Sequence, residues 1–128
     1  MLQRSGFATR AASPTVCPVL TLDVVREPDV DGFVVNLGGE IDLLTAPAVA
    51  AVAEQLLTNR QSAVVLDFTA VSFLDSTAIA VLVDLRRVAH DTLASTLALR
   101  NMNERLSRLL RITHTHELFD WLPDTRRH

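Results

Sequence analysis

An α/β sandwich, a mixed sheet of about four to five strands packed with about three to four helices, is the fold this sequence predicts. Three observations predict it. Two apolar runs of period two lie near the start, helical stripes then alternate with short strand-like runs, and no linker is long enough to divide the 128 residues.

Leu20, Leu22 and Val24, then Phe33, Val35 and Leu37, alternate with other residues on either side of the polar turn from Glu27 to Gly32. Paired as a hairpin, they make two half-buried strands. Gly38 and Gly39 are expected to break the second strand, and Thr45-Ala46-Pro47 offers an N-cap hydroxyl with proline in the first helical turn. The helix predicted from there turns Val49, Val52, Ala53, Leu56 and Leu57 inward and ends near Asn59. Ala63-Val64-Val65-Leu66 is continuously apolar and suits a central strand, with Asp67 marking its end.

After a loop through Phe73 and Leu74, Asp75-Ser76-Thr77 opens a second helix. Its stripe is Ala78, Val81, Leu82, Leu85, Val88 and Ala89, and Ile79 and Val83 fall beside it. Thr96 to Arg100 reads as a fourth strand. Asn101 with Glu104 has the form of a capping box, and the helix it opens turns Met102, Leu106, Leu109 and Leu110 inward and Arg105, Arg108 and Arg111 outward. Leu118 to Leu122 reads as a closing edge strand. Residues 19–123 are thus expected to form one domain, between a disordered tail over 1–18 and a solvated end over 124–128.

Composition excludes several functions. All twelve Lys and Arg residues are arginine, so no lysine is available for a phosphate loop, a Schiff base or a receiver domain's last strand. The net charge of -3 is small and dispersed, which argues against a nucleic-acid or anionic-membrane partner. No apolar run approaches the roughly 20 residues of a membrane span, and the first residues lack a secretory signal, so a cytoplasmic protein is expected. The lone Cys17 fits a reducing compartment. Asp42 and Asp67 follow strand-like runs without a histidine at ligand spacing, and the G-x-S-x-G elbow is missing around Ser76. Neither a metal, a cofactor nor an enzymatic activity is expected.

Two motifs then stand in order. Gly39-Glu40-Ile41-Asp42 with Thr45-Ala46-Pro47, and Val65-Leu66-Asp67 with Phe73-Leu74-Asp75-Ser76-Thr77, resemble the two signatures of STAS domains of the anti-sigma factor antagonist type. The likeness continues through Leu109 to Thr113 and Glu117-Leu118-Phe119, and covers Leu20 to Leu122. It departs where Ala78 and His114 replace the family's usual glycines.

This resemblance implies a binding protein that engages an anti-sigma factor, often a serine kinase, and so frees a sigma factor for transcription. It also implies control by phosphorylation at Ser76, with Thr77 as the adjoining hydroxyl, and reversal by a phosphatase. Asp42, Asp75, Ser76 and Thr77 fall on the family's binding surface, and Ile79 and Val83 are candidates to extend it as a ridge. The alternative function is a scaffold or sensor module in a larger assembly, without phosphorylation by a cognate anti-sigma kinase. Oligomeric state is not legible in the pattern.

Overall fold

Parallel strands cannot be joined by a hairpin, so each parallel step in a sheet calls for a crossover, and here helices supply it. The computed structural model describes residues 20–60, 63–92 and 95–123. Strands β1 (Leu20–Val25) and β2 (Gly32–Ile41) pair antiparallel, with Leu22 opposite Leu37 and Val24 opposite Val35. Helix α1 (Ala46–Gln55), extended by a π-helical turn over Leu56–Arg60, precedes β3 (Ala63–Leu74), and α2 (Ser76–Asp91) precedes β4 (Thr96–Arg100). Helix α3 (Glu104–Ile112) and a 3-10 turn over His116–Leu118 lead to the short β5 (Asp120–Trp121). Among the described residues the strands lie in chain order, β1-β2-β3-β4-β5, with every pairing after the first parallel.

Successive crossovers of one hand, all stepping the same way, put the helices on the same side of a sheet. The core agrees. Leu22, Val35, Leu37, Leu66, Phe68 and Leu99 of the sheet join Val49 and Ala53 of α1, Leu82 and Leu85 of α2, and Leu106 and Leu110 of α3 in one buried cluster. This is the α/β arrangement the alternation predicts. The expected tails over 1–18 and 124–128 lie outside the described residues.

Several local expectations are corrected. Gly38 and Gly39 do not end β2, which runs on to Ile41. Gly39 has φ 87, and the register with β3 shifts on either side of the pair. A Cβ on Gly38 would lie 2.4 Å from the Thr21 Oγ1, so glycine here serves close strand approach within an irregular strand. Asp67 likewise does not end β3, because the lengthened β2 offers partners as far as Leu74. At α3 the cap is Asn103, whose side chain accepts from the Leu106 amide at 2.9 Å, not Asn101. His114, which stands where the family usually has glycine, takes the left-handed conformation at φ 61 at the end of that helix.

Asn101 and Asp67 have another use. The Arg100 Nε donates to Asp67 Oδ2 at 2.7 Å, and its Nη1 and Nη2 atoms donate to the two Glu27 carboxylate oxygens at 3.1 and 2.9 Å. Asn101, held at φ 61, donates its side-chain amide to the same Asp67 oxygen at 3.0 Å. Asp67 and Arg100 are both buried. Burial opposes the Asp67 charge, but hydrogen bonds from Thr69 and Arg100 outweigh it and hold the carboxyl below the usual carboxylate range. The Glu27 hydrogen bonds and the Asp67 charge, against burial, raise the Arg100 guanidinium above its usual range.

Asp67→Ala removes one of the two carboxylates that hold the buried Arg100, and should lower the unfolding free energy by about 1.5–3 kcal/mol in urea denaturation. Because the folded-state pKa of Asp67 is depressed, its ionic contribution is present above the unfolded value of about 3.9 and is lost as pH falls through the folded one. The stability gap between wild type and Asp67→Asn should therefore narrow progressively below about pH 4.

Candidate functional site

The C-terminal ends of parallel strands, where loops run out to the helices, are where α/β sheets build their sites. β2 and β3 end together, with Ile41 opposite Leu74, and the Asp75 amide donates to the Ile41 carbonyl at 3.3 Å. The loops to α1 and α2 are thereby side by side.

Two carboxylates organise them. Asp75 caps α2: one oxygen accepts from the Ala78 amide at 3.0 Å, and the other accepts from the Leu43 amide at 3.2 Å. Asp42 folds its own turn, its Oδ1 accepting from the Leu44 and Thr45 amides at 3.0 and 3.2 Å. The Thr45 hydroxyl, predicted as a helix cap, makes no such bond to α1. It donates instead to the Glu40 carbonyl at 2.8 Å and accepts from the Asp42 amide at 2.9 Å, which pins the turn to the end of β2. Buried polar groups must find partners, and at Thr45 the strand end offers them before the helix does.

On this frame Ser76 is exposed in the first turn of α2 and Thr77 beside it is half-buried. Asp42 and Asp75 are half-buried at the same end of the sheet. The structure thus brings together four of the residues singled out from the sequence. Ile79 is not among them. At 6% exposure it belongs to the core, so the ridge expected from Ile79 and Val83 is reduced to Val83, which is half-buried against that core. A helix packed against both α1 and the sheet buries a wider face than its narrow stripe suggests.

The sequence reading missed Leu43, Leu44 and Phe73, which are 68%, 73% and 45% exposed. Phe73 stands opposite Glu40 in the strand register, next to the turn that carries the two leucines. Apolar residues between a strand and a helix read as core. The available signal was that Asp42 and Thr45 bracket them as turn-forming residues, which leaves their side chains nowhere inward to go.

No group of three His, Cys, Asp or Glu among the described residues is arranged to hold a metal ion. His116 is half-buried and stacks on Trp121 with ring centroids 4.5 Å apart, while His114 is exposed. No helix of the described residues is long and apolar enough to cross a membrane.

Comparison with known proteins agrees with this geometry. The sequence matches the STAS domain family over residues 21–127. It is 31% identical over 96 residues to the anti-sigma-B factor antagonist of Listeria monocytogenes, covering 75% of this chain and 83% of that one. It is 29% identical over 92 residues to the anti-sigma-F factor antagonist RsfB of Mycobacterium tuberculosis, covering 71% and 75%. Among solved structures, an anti-sigma factor antagonist from Mycobacterium paratuberculosis superposes with TM-score 0.65 at 25% identity, covering 90% of this chain and 92% of that one. Unphosphorylated SpoIIAA shares the fold, with TM-score 0.62 at 14% identity over 80% of this chain and 89% of its own. With its sheet order, its paired loops at the strand ends and a family match across nearly all the described residues, the chain belongs to the STAS domain family.

Proposed function

We propose that this protein is an anti-sigma factor antagonist, which binds an anti-sigma factor of the serine kinase type, frees a sigma factor for transcription, and is switched off by phosphorylation of Ser76. The observation that carries the reading is the position of Ser76. It is an exposed hydroxyl on the first turn of α2, directly after a capping aspartate and at the same end of the sheet as the exposed Leu43, Leu44 and Phe73. The names of the relatives in Listeria and Mycobacterium support the same partner class.

In this reading the protein acts in the cytosol by binding alone and carries no chemistry of its own. The kinase partner transfers phosphate to Ser76, and a phosphatase removes it. Asp42, Asp75, Ser76 and Thr77 lie within the contact, and Val83 extends it along α2. A phosphate at a helix N-terminus meets free amides and the positive end of the helix dipole, so the fold tolerates it. It also brings about two negative charges beside the Asp75 carboxylate, on a surface the partner must desolvate. That can cost several kcal/mol of binding, a loss of affinity of a hundredfold or more.

Each anti-sigma factor of the source organism, purified and titrated against the wild-type chain, identifies the partner. Against that partner Ser76→Ala should bind constitutively and Ser76→Glu weakly, while Thr77→Ala should still accept phosphate from the kinase and ATP, read by mass spectrometry. Phosphate on Thr77 alone overturns the site, and phosphate on neither hydroxyl favours the scaffold function. Val83→Asp should abolish binding with circular dichroism and melting temperature close to wild type. Unfolding of that variant would make Val83 a core residue instead.

A further inference from the structure

Two adjacent leucines, each more than two-thirds exposed, stand on a turn whose amides are all held. The Leu43 amide donates to Asp75, the Leu44 amide to Asp42, and the Thr45 and Ala46 amides to the Asp42 carbonyl at 3.2 and 2.8 Å. Large apolar side chains fixed in water on a rigid backbone are costly to the free protein, and such patches mark contact sites. Rigidity is also what a binding anchor needs, because a pre-ordered backbone gives up little further entropy on association. Phe73 is exposed at the same end of the sheet, opposite Glu40 in the register. The other exposed large apolar residues, Ile112 and Leu118, belong to the end of α3 and the segment after it.

The side chains that flank the turn are acidic, while Arg105 reaches the same end of β3 at the Ser72 carbonyl, 3.5 Å away. Glu40, Asp42 and Asp75 flank the turn, and among the described residues none of the three enters an ion pair. One oxygen of Asp42 and both of Asp75 accept from backbone amides, which offset their charges only in part, and among the described residues neither meets a cation in an ion pair. An apolar knob in an acidic collar fits a concave apolar socket rimmed by arginine or lysine.

Asp75 has a particular place in this arrangement, since its two oxygens serve two elements at once, the start of α2 and the Leu43 amide. We infer that Leu43 and Leu44 are the anchor by which the partner grips this face, seated in an apolar socket with a basic rim, and that Asp75 is the residue that positions the anchor. The inference rests on the proposed reading of the chain as an anti-sigma factor binder. It adds which side chains make the contact, and what chemistry the partner presents to them.

Asparagine separates the two tasks of Asp75. It is a good N-cap and keeps one carbonyl oxygen for Ala78, but its amide nitrogen cannot accept from Leu43. The test uses the full chain and the purified anti-sigma factor that binds it. Leu43→Ala and Leu44→Ala should each weaken binding by about tenfold, and together by about a hundredfold, with the melting temperature nearly unchanged. Asp75→Asn should weaken binding by about tenfold more in the wild-type background than in the double-alanine background, where only the loss of its charge from the collar remains and there is no anchor left to position. In the isolated protein, NMR should show faster exchange of the Leu43 amide in Asp75→Asn with the Ala78 amide still protected. Raising the ionic strength should weaken binding, as a basic rim requires.

Wild-type affinity in the double-alanine variant overturns the anchor, and a fully additive loss from Asp75→Asn overturns the positioning role. An affinity indifferent to salt overturns the basic rim. Failure of the wild-type chain to bind any anti-sigma factor is a different result, which overturns the functional reading and this inference with it. Should Asp75→Asn lower the melting temperature, the alanine pair still decides the anchor, since neither leucine side chain makes a hydrogen bond.

Discussion

The parallel pairing of β2 with β3 is the constraint on which the rest of this molecule depends. It runs from Gly32 opposite Ala63 to Ile41 opposite Leu74, and it brings both strands to an end at the same level. Leu43 and Asp75, 32 positions apart in the chain, are hydrogen-bonded only because of it. The long pairing is also uneven. Glycine at 38 and 39 lets β2 absorb two shifts of register without leaving the sheet, since one position needs close approach and the other a positive φ.

Charge is handled differently at two depths. In the interior, Arg100 is held between the carboxylates of Asp67 and Glu27 and Asn101 donates to Asp67, which ties β3, β4 and the segment after β1 together. An unpaired charge there would be prohibitive. At the strand ends Asp42 and Asp75 turn oxygens to backbone amides, and among the described residues neither enters an ion pair. The first arrangement holds the fold, and the second leaves a field that an approaching molecule meets.

A switch built on this surface needs no change of fold. The core residues of α2 lie on the far side from Ser76: Ala78, Leu82 and Leu85 are buried while Ser76 is exposed. A phosphate on that serine would act on the helix end and its neighbours and leave the packed stripe untouched. The proposed function therefore assigns rigidity to the sheet and α2, and sensitivity to the two loops that share Asp75.

The alternation of strand and helix patterns, the β1 and β2 hairpin, β4 from Thr96 to Arg100 and the start of α2 at Asp75 were all legible in the sequence. Each rests on neighbours within a few positions, where period and capping chemistry act locally. Asp42, Asp75, Ser76 and Thr77 were found through their resemblance to a family's motifs, which preserves what local patterns cannot carry. The lengths of β2 and β3, the burial of Ile79, the pairing of Asp67 with Arg100 and the exposure of Leu43 and Leu44 were decided only by the tertiary structure. Each depends on what a distant strand or helix places opposite the residue. A glycine pair reads as a break and an aspartate as a turn until the partner across the sheet is in position, because whether an amide or a carboxylate is satisfied is a property of the contact and not of the residue.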